Sequence, residues 1–120
     1  MIRNQIEISG EARKLFADLV STESRRLVGR GPQAVKIHIQ ADVVTVTIQG
    51  FMTSFEETLV RRGNNHALVA LMRERLLQEI IPEWECNLRE HFRLTLIEIC
   101  GDVDIERNKR TVVIRVAQFE

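Results

Sequence analysis

The sequence predicts a two-layer α+β fold, in which two antiparallel β-hairpins pack against an N-terminal helix and a long proline-kinked helix, in the order α-β-β-α-α-β-β. Three observations carry this expectation. Residues 35–48 and 97–116 alternate apolar and polar side chains about short polar turns, the pattern of half-buried antiparallel strands. Residues 5–28 and 66–92 repeat apolar side chains at three- and four-residue spacing, the period of a helix with one buried face. With 120 residues, 44% hydrophobic and 28% charged, the chain is long enough for one core and too short for two ordinary ones. A single domain over residues 1–120 is expected.

The first helix is predicted over residues 5–28. Ile8, Ala12, Leu15, Phe16, Leu19, Val20 and Leu27 make its apolar stripe, and Gly10 weakens its first turns. Arg25 and Arg26 suit the negative end of the helix dipole. Gly29 closes the helix in the left-handed conformation, Gly31 tolerates the restriction set by the next residue, and Pro32 stops the helix from resuming.

A hairpin follows at once. A two-residue turn at Ala41-Asp42 sets Ile39 opposite Val44, Ile37 opposite Val46 and Val35 opposite Ile48, with all six on one face. Thr53 and Glu56 then fit a capping box that opens a short helix ending near Gly63. The longest helix is expected from His66 to Phe92, with Leu68, Met72, Leu76, Ile80, Trp84, Leu88 and Phe92 in an unbroken four-residue series. Pro82 removes one hydrogen bond and clashes with the Gln78 carbonyl, so a kink or break is expected there. In the second hairpin Ile97, Ile99, Val103 and Ile105 alternate with acidic residues and Cys100. The chain turns near residues 107–109, and Val112, Ile114 and Val116 return along the same face. The predicted core comprises Leu15, Phe16, Leu19, Val35, Ile37, Val46, Ile48, Leu68, Met72, Leu76, Ile80, Ile99, Val103 and Ile114.

Charge narrows the function classes. Lys+Arg and Asp+Glu both number 17, so the basic excess on which phosphate neutralisation depends is missing, and no nucleic-acid partner is expected. Zero net charge leaves little colloidal repulsion, which favours self-association. The opening MIRNQIEISGEARK has no apolar stretch followed by a small-residue cleavage site, and no run approaches the roughly 20 apolar residues that span a bilayer. A cytoplasmic protein with no direct membrane insertion is therefore expected. Cys86 and Cys100 form no CxxC pair and read as reduced thiols.

The motifs that suggest chemistry do not sustain it. Gly29-Arg30-Gly31-Pro32-Gln33-Ala34 has the letters of a dinucleotide-binding loop, but such a loop leaves a strand and opens a helix. Here the helix comes first, so a bound pyrophosphate meets the wrong end of the dipole. His38, His66 and His91 supply no i,i+4 pair, and Cys86 and His91 lie about 140° apart around a helix. No metal and no cofactor is expected. The carboxylates include no pair marked for acid–base work, and no catalytic residue is assigned. Arg30, between two glycines, and Lys36 and His38, on the polar side of the next strand, are the candidate partner- or anion-binding residues.

Several of these segments together resemble one bacterial family. Gly29 to Pro32 (GRGP), Val35-Lys36, Asp42 to Gly50 (DVVTVTIQG), FMTSFE, LVALMRERL, Pro82 and the closing VVIRV are similar to the MpsC-like family, over nearly the whole chain. Family members tend to carry Thr-Gly where this chain has His91-Phe92-Arg93-Leu94. The resemblance implies a link to a membrane-potential-generating cation-transport system and supplies no catalytic residue. The expected function is thus a non-enzymatic accessory or binding subunit with a membrane-transport protein as partner. It would dock through the GRGP turn and the Lys36/His38 strand edge, and would form a homodimer or higher homo-oligomer. The alternative is a small anion-binding sensor or enzyme with a pocket between sheet and helices.

Overall fold

The computed structural model describes residues 8–118. Seven elements follow one another: α1 (Gly10–Val28), β1 (Ala34–Gln40), β2 (Val43–Gln49), α2 (Ser54–Gly63), α3 (His66–Phe92), β3 (Leu94–Asp104) and β4 (Lys109–Gln118). The fold is α+β, with a single antiparallel sheet of strand order β1-β2-β4-β3 among the described residues. The two hairpins are fused by the pairing of β2 with β4, so β4 lies inside the sheet and β1 and β3 form its edges.

The helix ends follow local chemistry. Ser9 caps α1 by accepting a hydrogen bond from the Ala12 N–H at 3.0 Å, which puts the helix start at Gly10. Residues 5–7 of the expected helix lie outside the described residues. At the other end Gly29 sits at φ 78 and donates its N–H to the Arg25 carbonyl. Thr53 and Glu56 form the capping box of α2 reciprocally. α3 runs for 27 residues, about 40 Å at helical rise, and of the kink or break expected at Pro82 there is no break: the helix continues through it. It ends on Arg93, a single residue in the left-handed conformation at φ 55, and β3 begins with the next residue.

The first hairpin has the expected register, with Val35 opposite Ile48, Ile37 opposite Val46 and Ile39 opposite Val44. Their shared face meets Val112, Ile114 and Val116 of β4, Phe16 and Val20 of α1, and Val69, Leu77, Trp84 and Leu88 of α3. Phe16 stacks on Phe92 and meets the Trp84 edge, which ties α1 to the C-terminal half of α3. α1 lies over β1 and α3 over β3, so both helices cover one face of the sheet.

Several expected core positions differ. Leu15 and Leu68 are exposed, and Met72, Leu76 and Ile80 are only half-buried; the buried line of α3 is Val69, Arg73, Leu77, Trp84 and Leu88. A strict four-residue series turns about 40° past a full turn at each step, so it cannot hold one face over 27 residues. Ile97 is exposed as well. A bulge between Leu96 and Glu98 shifts the register of β3, leaving Ile97 out of the alternation while Leu94, Leu96 and Ile99 keep to the core.

Candidate functional site

Three connections, the GRGP turn, residues 50–53 and the turn at 105–108, meet at one end of the sheet. Arg30 leaves the GRGP turn with its Nη1 donating to the Met52 carbonyl at 3.2 Å and lying 4.0 Å from a Glu57 carboxylate oxygen. The Met52 N–H donates to the Asn108 side-chain oxygen at 2.9 Å, so the second hairpin turn holds the same residue from the other side. Gly50 is required here: its φ is 72, and a Cβ would fall 2.6 Å from the Gln33 side chain. Beyond Gly31 the Arg25 guanidinium packs close, its Nη2 only 3.0 Å from where a Cβ would stand.

From this turn β1 runs along the sheet edge, and its outer residues Lys36, His38 and Gln40 are exposed. The side chains of Lys36 and His38 form no hydrogen bond or ion pair among the described residues. Their neighbours inward on that face are Thr47 and Thr45 of β2, then Thr111 and Val113 of β4. Arg115, also on the outer face, is already engaged by Asp42 at 3.3 Å and Glu98 at 3.6 Å.

A second cluster lies inside the protein and escapes a reading based on hydrophobicity. Arg73, Glu56 and Arg110 are 5%, 5% and 7% exposed. Arg73 Nε donates to Glu56 Oε2 at 2.8 Å, and its Nη2 donates to Glu56 Oε1 at 2.7 Å and to the Phe51 carbonyl at 2.8 Å. Its guanidinium also stands 5.2 Å from the centre of the Phe51 ring. Burial pushes the Glu56 carboxyl up, but the Arg73 hydrogen bonds, the Thr53 N–H and the Arg73 charge together outweigh it and hold the group below the ordinary 4.5. Arg110 Nη2 donates to the Arg73 carbonyl at 3.1 Å, while Arg110 Nη1 is buried with no partner. Burial and then the Arg73 charge lower the Arg110 guanidinium to about 10.

Both guanidiniums line a cavity of ≈ 50 Å³ bounded by α1, α3, and Ile48 and Val112 of the sheet. Glu23 and Trp84 line it as well. Burial, then the neighbouring Glu83, raises the Glu23 carboxyl; the Trp84 indole N–H is buried beside it without a hydrogen bond of good geometry. A pocket between sheet and helices therefore exists, but its cations are Arg73 and Arg110. Arg30, Lys36 and His38 lie apart from it. The one signal in the sequence was Arg73 itself, a charge in line with Val69 and Leu77 on an otherwise apolar face.

No helix among the described residues is long and apolar enough to cross a membrane. The family described as "Na+-translocating membrane potential-generating system (MpsC)" matches residues 9–118, nearly the whole chain. No match was found among curated proteins or among solved structures.

Proposed function

Because the chain belongs to the MpsC family, we propose that it serves a Na+-translocating, membrane-potential-generating system as a non-enzymatic cytoplasmic accessory subunit. It docks a membrane protein of that system through the β1 edge, beside the GRGP turn. The observation that carries this reading is the free pair Lys36 and His38 on a strand hydrogen-bonded on one side only. An exposed strand edge offers unused backbone donors and acceptors to an incoming extended segment, and side chains beside it set the choice of partner. The Lys36 ammonium, with the His38 imidazole beside it as a hydrogen-bonding group, favours an acidic segment. Arg30, tied to Met52 and Glu57, holds the turn next to that edge and completes the proposed docking surface.

The test is photo-crosslinking in the native cell from residues 36 and 38, with exposed Asp18 of α1 as the control position. Crosslinks from the two β1 positions to a cation-transport membrane protein, lost when the neighbouring β1 side chain is changed to Glu, are expected. Equal capture from position 18, or no membrane protein from β1, overturns the proposal.

Self-association is proposed alongside. Val69, Leu77 and Trp84 are buried within the chain and contribute nothing to a dimer face, but Leu68 and Leu71 remain 44% and 57% exposed. Light scattering at micromolar concentration is expected to give at least twice the 13.9 kDa chain mass, and Leu71→Glu to return it to the monomer value. A wild-type monomer overturns this part.

A further inference from the structure

We propose that the cleft between α1, α3 and the β2–β4 floor binds a small carboxylate or comparable oxyanion, held by Arg110 and Arg73. This site is separate from the β1 edge and stands independently of the docking reading.

The argument begins with charge. Two guanidiniums and one carboxylate are buried together, and Glu56 is fully engaged by Arg73, so Arg110 has no carboxylate bonded to it and feels only the more distant charges of Glu74 and Glu56. An ion below the surface without a directly bonded counter-ion is costly, and proteins normally pair it. The unused donors lie in the same cluster. Arg73 bonds through Nε and Nη2, which leaves its Nη1 without a hydrogen bond, and Arg110 Nη1 is buried and unpartnered. Trp84 Nε1 also lies on the cavity wall, where its N–H is directed to Glu23 without a hydrogen bond of good geometry. Water satisfies N–H groups but not the Arg110 charge; an oxyanion does both, and the planar guanidinium matches its geometry.

Size agrees with this class of ligand. One water occupies about 10–15 Å³ on this measure, so ≈ 50 Å³ admits about three to five water-sized atoms, the size of acetate or phosphate. Glu23 also lines the cavity, and burial, then the nearby Glu83, raises its carboxyl above the ordinary value. Leu27 of α1 and Ile80 of α3 complete the walls of the cleft.

Thermal unfolding with sodium acetate and, separately, sodium phosphate tests the site, at ionic strength held constant with sodium chloride. A saturable rise in Tm of about 5 °C is expected with at least one of the two oxyanions. The rise should vanish in Arg110→Met. A change no larger than that in chloride alone, or an equal rise in Arg110→Met, overturns the proposal. If circular dichroism shows Arg110→Met unfolded, Leu27→Trp decides instead, because it fills the cleft and leaves both arginines. Loss of the anion response in that variant supports the site, and its survival overturns it.

Discussion

Arg73 reaches from the second turn of α3 to Glu56 at the start of α2 and closes on both carboxylate oxygens, at 2.7 and 2.8 Å. Glu56 is thereby shared: the same carboxylate receives the Thr53 N–H of its capping box at 2.9 Å. One side chain fixes the N-terminus of α2 and the seating of α3 together.

Removing one partner should therefore be far more damaging than removing both. Arg73→Met leaves Glu56 charged and buried and is expected to cost about 3–5 kcal/mol. Glu56→Gln with Arg73→Met keeps a capping residue at that position and removes the orphan charge, so most of the loss should be recovered. Urea unfolding of the two single variants and the double variant measures the coupling.

The same carboxylate predicts a pH dependence. Its folded-state pKa lies below the ordinary 4.5, so the folded protein binds fewer protons than the unfolded chain between the two values. The stabilisation is complete above about pH 4.5 and is lost as pH falls through the lowered folded value. Melting temperature against pH should fall on this acid limb, and Glu56→Gln should flatten it.

Leu77 is 1% exposed, whereas its neighbour Leu76 is half-buried at the wall of the cleft. Leu77→Ala is expected to cost about 2–5 kcal/mol, and Leu76→Ala distinctly less. Equal losses in denaturant unfolding would contradict the helix rotation described above.

What the sequence allowed one to read, and what it hid, follows from the strength of each local signal. The β1–β2 register was legible because a one-residue slip would turn Val35, Ile37 and Ile39 away from the core. Thr53-x-x-Glu56 was legible because the capping box is a local motif. The face of α3 was misread over its first half, where apolar periodicity passed over Arg73 and followed Leu68, Met72 and Leu76. From Trp84 onward no charge interrupts the face, and Trp84 and Leu88 are buried as expected. The bulge that exposes Ile97 and the β2–β4 pairing depend on contacts between distant segments, which alternation alone does not report. The Arg73–Arg110 cavity was hidden for the same reason: 37 residues separate its two cations.

Pro82 sits inside an unbroken helix, where it removes the hydrogen bond to the Gln78 carbonyl. Pro82→Ala restores that bond and is expected to stabilise the protein by about 1–3 kcal/mol, offset in part by the freer unfolded chain. A lower melting temperature in the variant would show that the Pro82 geometry is needed for packing.

The strand order has a consequence for the growing polypeptide. β4 is the last of the seven elements in the chain, yet it lies between β2 and β3. Before β4 is made, β1 and β2 can pair as a local hairpin, but one edge of β2 and one edge of β3 have no partner, because both pair with β4 in the fold. Nascent chains stalled before residue 109 thus present two sticky strands to the cell, and chaperone demand should fall sharply once β4 clears the ribosome.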